Sequence, residues 1–191
     1  EKYLAALLKA YQHKSRFYHN CDHIAALLHW SDGDNANSCA SLLEDKTSFD
    51  LAILYHDIIY NPLKQNNEAA SARRAVTDLK ALGIAPPVIT KVTGYIKATK
   101  DHQAGGDTGD LLYLLDADLS TLGSAPANYD AYAQGVRQEY RMYPDMMYKP
   151  GRKKVLEHFL AMPHIFKTAF FRERLEVQAR ENLMRELELL Q

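Results

Sequence analysis

The sequence predicts an all-α fold. Apolar residues recur at helical spacing along nearly the whole chain, no run shows the period-two alternation of a half-buried strand, and turn residues punctuate the apolar runs. Near the start, Tyr3, Leu4, Leu7, Leu8 and Tyr11 form one apolar face. A second helix is expected over 21–30, ending in the polar loop Ser31-Asp32-Gly33-Asp34-Asn35, and a short helix over 38–43. Ser48 is read as the N-cap of a helix over 49–60 that Asn61-Pro62 stops. An amphipathic helix over 67–82 is closed by Gly83, and Pro86-Pro87 opens the next one. Residues 99–109 are polar and Gly-rich, a loop of the kind that often carries function. Further helices are expected over 110–122, 127–143, 152–160 and 171–190.

The 191 residues suit a single domain over 1–191, with no obvious linker to divide it. A composition of 47% hydrophobic and 25% charged residues is that of a soluble globular protein. Lys and Arg number 23 against 24 Asp and Glu, a net charge of -1, which argues against a stable nucleic-acid complex or an anionic-membrane surface. No apolar stretch approaches the ~20 residues of a membrane span, and no signal-peptide pattern opens the chain. Cys21 and Cys39 make neither a CxxC motif nor a disulfide framework, so the expected compartment is the cytoplasm.

Polar residues on apolar helices are the functional clue. The run Phe49-Asp50-Leu51-Ala52-Ile53-Leu54-Tyr55-His56-Asp57-Ile58-Ile59 is apolar on nearly every side, yet ends in adjacent His56 and Asp57. A buried carboxylate needs a partner or a cation; a plain buried His–Asp hydrogen bond is the alternative. In Leu111-Leu112-Tyr113-Leu114-Leu115-Asp116-Ala117-Asp118-Leu119, the two carboxylates point in different directions, so one reaches a given centre and the other caps a turn or pairs with an Arg. His19 and His23 share a face if one helix includes both. His13, His29, His158 and His164 are read as surface or core residues. His23, then His56-Asp57, then Asp118 offer two imidazoles and two carboxylates on separate helices, which a bundle can converge. Mixed nitrogen and oxygen donors without thiolates suit a divalent ion with open positions rather than a structural zinc.

This ordered set resembles the HD superfamily, whose pattern is H…HD…D on an HD-domain helical bundle. More closely, the chain looks like the predicted metal-dependent HD phosphohydrolases, a bacterial family. The resemblance runs from Arg16-Phe17-Tyr18-His19-Asn20 through Asn67-Glu68, Leu115-Asp116-Ala117-Asp118-Leu119 and Arg137-Gln138-Glu139-Tyr140 to Gly151-Arg152. It implies metal ligands at His23, His56, Asp57 and Asp118, with Asp118 preferred over Asp116 for its Ala-Asp-Leu context. The metal expected is divalent: Mn, Co, Ni, Mg, Zn or Fe. The segment His19-Asn20-Cys21-Asp22-His23 is also similar to the HNxxH motif of cyclic-nucleotide phosphodiesterases, which implies that His19 is a general acid. The chain departs from those enzymes at Tyr60, where they place a further His, and at Ala26-Leu27, where they carry an Asp; both speak against a full two-metal site.

The expected activity is hydrolysis of a nucleotide or other small phosphate ester by a metal-activated water. His19 is the candidate acid, Glu68 the candidate base, and Asp57 an alternative for orienting the water. Lys100, His102, Arg137 and Arg152 are candidates for binding substrate phosphate. The alternatives are a di-iron HD-type oxygenase, which needs more histidine ligands, and a non-catalytic nucleotide-binding module. The segment 171–191 is read as a packing helix, with a homodimer contact as its alternative.

Overall fold

A computed structural model describes residues 2–106 and 109–190; positions 107 and 108 of the Gly-rich loop lie outside the described residues, as do both terminal positions. Among the described residues the chain is all-α, with nine α-helices, two 3-10 turns and no strand. It forms two compact units, Glu1–Leu115 and Asp116–Gln191. The first holds α1 (Lys2–Tyr11), α2 (Cys21–His29), α3 (Lys46–Tyr55), α4 (Asn67–Ala81) and α5 (Pro86–Ala98). Helix α6 (Asp110–Leu119) begins there and runs unbroken into the second unit, which continues through α7 (Pro126–Glu139), α8 (Asp145–Ala161) and α9 (Ala169–Leu189). No described helix is long and apolar enough to cross a membrane.

In the first unit α3 is the central element, packed against α2, α4 and α5. Its Phe49, Ala52 and Ile53 are fully buried, as are Ala75 and Leu79 of α4 and Val92 and Ile96 of α5. The expected apolar face of α1 is only partly used: Leu7 and Tyr11 are buried, whereas Leu4 and Leu8 stay exposed. One short helix on a surface can bury a stripe narrower than its apolar face.

Capping fixes several boundaries. Asp45, not Ser48, is the N-cap of α3: its Oδ1 accepts the Ser48 N–H at 3.0 Å and its Oδ2 the Ser48 hydroxyl at 2.7 Å. These two bonds are the main reason the Asp45 carboxyl is held below its ordinary range. Helix α3 therefore starts earlier than its apolar run, and it ends at Tyr55 rather than 60. At α4 the expected Gly83 stop is realised as a Schellman turn. Gly83 has φ +75°, its N–H reaches Lys80 O at 3.0 Å, and Ile84 N–H reaches Leu79 O at 3.0 Å. Pro86 opens α5 as expected. The α6 N-terminus is tied to the start of α3, since the Asp110 carboxylate accepts N–H groups of Glu44 at 2.8 Å and Asp45 at 2.7 Å.

In the second unit, α7 stops at Glu139, short of the expected 143. Arg137 explains the stop: its guanidinium takes the carbonyls of Tyr140 and Tyr143, each at 3.1 Å, so the chain turns there instead of continuing the helix. Helix α8 starts at Asp145, earlier than expected, and runs through Pro150. That proline is exposed, and the carbonyl it cannot meet, four residues back at Met146, belongs to an exposed residue as well. Gly123, which ends a 3-10 turn, lies against α9: a Cβ there would stand 2.5 Å from Leu175 Cβ and 2.7 Å from Leu175 O. Backbone cannot retreat as a side-chain tip can, so Gly123→Ala is expected to cost about 1–3 kcal/mol. Denaturant melts of the variant against wild type measure that loss.

Candidate metal centre

His23 is the third residue of α2, and its place is set by the turn before it. The Asn20 side chain caps α2, accepting N–H groups of Asp22 at 2.8 Å and His23 at 3.3 Å. His19 thus precedes the helix, so the i, i+4 face expected for His19 and His23 does not form; the loop brings the rings to 5.9 Å by another route. His56 follows the last residue of α3, and Asp118 stands near the C-terminal end of α6. One donor atom each from His23, His56 and Asp118 lies within 4.8 Å of the other two. Both imidazoles are buried, at 5% and 2% exposure, and Asp118 is half-buried.

The donor set fits a divalent cation. Two donors bound at about 2.1 Å to one ion stand about 3.0–3.4 Å apart at octahedral or tetrahedral angles and about 4.2 Å apart when opposite, so the side chains must close in by about half an ångström to one and a half when an ion binds. Two nitrogens and one oxygen, without thiolate, are borderline-to-hard ligands that suit zinc or a neighbouring first-row ion. The His56 ring is already set for such a role. Its Nδ1 lies 2.8 Å from the Ile53 carbonyl, which accepts only if Nδ1 carries the proton, leaving Nε2 as the lone-pair nitrogen. That Nε2 faces Asp57 Oδ2 at 3.2 Å. A lone pair opposite a carboxylate oxygen is repulsive unless a proton or a metal cation sits beside them.

Asp57 itself is outside the three-residue group. Its Oδ2 lies next to His56 Nε2 and 3.9 Å from His19 Nε2, so this carboxylate stands beside two imidazoles. The His19 ring stacks on Tyr60 at 4.1 Å between centroids and meets Tyr18 edge-on at 4.8 Å. Tyr60 thus supplies a platform for the His19 ring.

Of the neighbouring aspartates, Asp118 joins the histidines and Asp116 does not. Asp116 is fully buried, and its oxygens accept the N–H groups of Lys167 and Thr168, each at 2.7 Å, and the Thr168 hydroxyl at 2.8 Å. It holds the turn in which Thr168 caps α9. Burial pushes its pKa up, against the pull of those hydrogen bonds.

The remaining candidates are placed as follows. Glu68 is half-buried in the first turn of α4, outside the donor group; its neighbour Asn67 closes the preceding loop through Asn61 and Lys64. Lys100 is exposed just after α5, and His102 follows in a left-handed turn, φ 53°, also outside the group. Arg137 pairs with Asp145 at 2.7 Å besides its two carbonyls. Arg152 is buried and forms a two-pronged pair with Glu186, at 2.7 and 2.8 Å, plus a bond to the Tyr132 hydroxyl at 3.2 Å. In this structure both guanidinium groups knit their own unit together.

Sequence reasoning gave no role to Arg16, which donates to the carbonyls of His19, Asp57 and Ile58. Arg16 opens the first resembling motif, but its role is not legible there, because two of its three acceptors are backbone oxygens 41 and 42 residues along the chain. No family model matches this sequence, and neither a curated protein nor a solved structure matches it.

Proposed function

We propose that the chain is a metal-dependent phosphohydrolase of the HD type, acting on a nucleotide or another small phosphate ester. The observation that carries this reading is the buried convergence of His23, His56 and Asp118, in the order and residue types of the H…HD…D pattern. A divalent ion held there supplies Lewis-acid polarisation of a phosphoryl oxygen and a lowered pKa for water. The chain's own residues account for the rest. His19, steadied by Tyr60 and Tyr18, is the candidate proton donor to the leaving oxygen, and Asp57 at 3.9 Å stabilises its protonated ring. Asp57, beside His56 Nε2, is the candidate for orienting an attacking water, with Glu68 as the other candidate base.

The test is metal analysis of the purified protein, followed by a phosphatase screen over nucleoside mono-, di- and triphosphates, cyclic nucleotides and sugar phosphates with Mn²⁺, Co²⁺, Ni²⁺, Mg²⁺, Zn²⁺ and Fe²⁺. The expected result is turnover that depends on added metal and stops with a chelator. Tight metal binding with no hydrolysis across the panel overturns the reading.

A further inference from the structure

We propose that Arg16 is a positioning residue that sets the separation of the two imidazoles in the metal group; this rests on the metal-binding reading above. A helix ends with carbonyls that have no partner further along it. Those around the end of α3 are distributed among several donors. Ala52 O takes the His56 N–H at 2.8 Å, Ile53 O faces His56 Nδ1, Leu54 O accepts the Tyr11 hydroxyl at 3.0 Å, and Tyr55 O takes the Ile58 N–H at 3.3 Å. Arg16 takes the next two that matter. One of its terminal nitrogens donates to Asp57 O at 2.7 Å, and the other to Ile58 O at 2.9 Å.

The first of those nitrogens also donates to His19 O at 3.0 Å, just before the Asn20 cap of α2. One planar guanidinium therefore pins the chain leaving α3, next to His56, to the chain entering α2, at His19 four residues before His23. The two ring centroids stand 5.4 Å apart across that junction. The fork is itself confined: Arg16 is buried at 9% exposure, with its charge 4.9 Å from the Tyr11 ring and 5.6 Å from the Tyr60 ring. A lysine carries the same charge as a point on a flexible stem and cannot hold the same two-nitrogen, three-carbonyl arrangement. Groups that orient metal ligands without touching the ion typically govern metal affinity by about 10–100-fold.

The experiment titrates Co²⁺ into metal-free wild type, Arg16→Met, Arg16→Lys and Tyr11→Phe, reading affinity and the visible Co²⁺ spectrum at a temperature where circular dichroism shows each chain folded. Arg16→Lys keeps the charge and much of the stem, so it keeps the measurement on a folded protein. Tyr11→Phe removes a different bond at the same end of α3 without touching the α2 side, and so reports a merely structural effect. The expected result is a loss of Co²⁺ affinity of about 10–100-fold in both Arg16 variants, with an altered spectrum, while Tyr11→Phe lowers the melting temperature but keeps the wild-type spectrum. Wild-type binding with Arg16 variants unchanged overturns this proposal alone, as does full restoration by lysine or an equal loss in Tyr11→Phe. A wild-type chain that takes up no Co²⁺ overturns the metal reading and this proposal with it.

Discussion

Replacing His56 with alanine is expected to abolish metal binding and every metal-dependent activity while leaving the helices intact. The group has three donors, so losing one leaves only two to compete with water for a divalent ion. The affinity loss should exceed the roughly 10–100-fold typical of changes to residues that only orient the ligands. Folding loses the ring's packing and its contact with Ile53 O, which costs about 1–3 kcal/mol for a buried acceptor left without that donor. His23→Ala and Asp118→Ala are expected to behave alike. Metal content after dialysis, measured beside a thermal melt, checks all three; a variant that keeps wild-type metal content removes its residue from the ligand set. Asp57→Ala then assigns the fourth residue. Loss of metal marks it as a ligand, and retained metal without turnover marks it as an orienting carboxylate.

Asp116→Ala is expected to do the reverse, costing stability rather than metal. It removes the acceptor for two backbone N–H groups and the Thr168 hydroxyl, at a place where water does not replace it. Stranded buried donors cost about 1–3 kcal/mol each, so the variant should lose on the order of 3 kcal/mol or more and fray the start of α9. The raised pKa of Asp116 says that its charge is itself costly in that setting. Asp116→Asn, which drops the charge and keeps one acceptor oxygen, is therefore expected to be milder than alanine. Denaturant midpoints for the two variants and for Asp118→Ala settle the contrast. If Asp118→Ala proved the more destabilising of the two alanine changes, the division of labour between these residues would fail.

The contrast shows where local information ends. An aspartate followed two positions later by another gives two side chains on different sides of a helix, and the sequence alone says that they cannot share one partner. Which of them meets the histidines depends on the chain some fifty residues further on, where the Lys167 and Thr168 amides take Asp116. Only the Ala-Asp-Leu resemblance favoured Asp118 beforehand. Ser48 and Asp45 repeat the lesson on a smaller scale, since either can cap a helix and the backbone path chooses between them. Arg137 and Arg152 belong to the recognisable motifs, yet their donors go to carbonyls, Asp145 and Glu186, which no nearby residue pattern discloses.

The sequence by itself determined that the chain is helical, where most helices lie, and that His23, His56 and Asp118 are candidates to meet. Periodicity, caps and the cost of polar groups on apolar helices are properties of short stretches, and they survive without knowledge of the rest of the chain. The tertiary structure alone decided which side chains share a centre, that His19 stands outside α2 on a Tyr60 platform, and that Arg16 clamps two distant carbonyl groups. Those outcomes depend on contacts between segments far apart in the chain, whose closing entropy is repaid only when the whole unit folds.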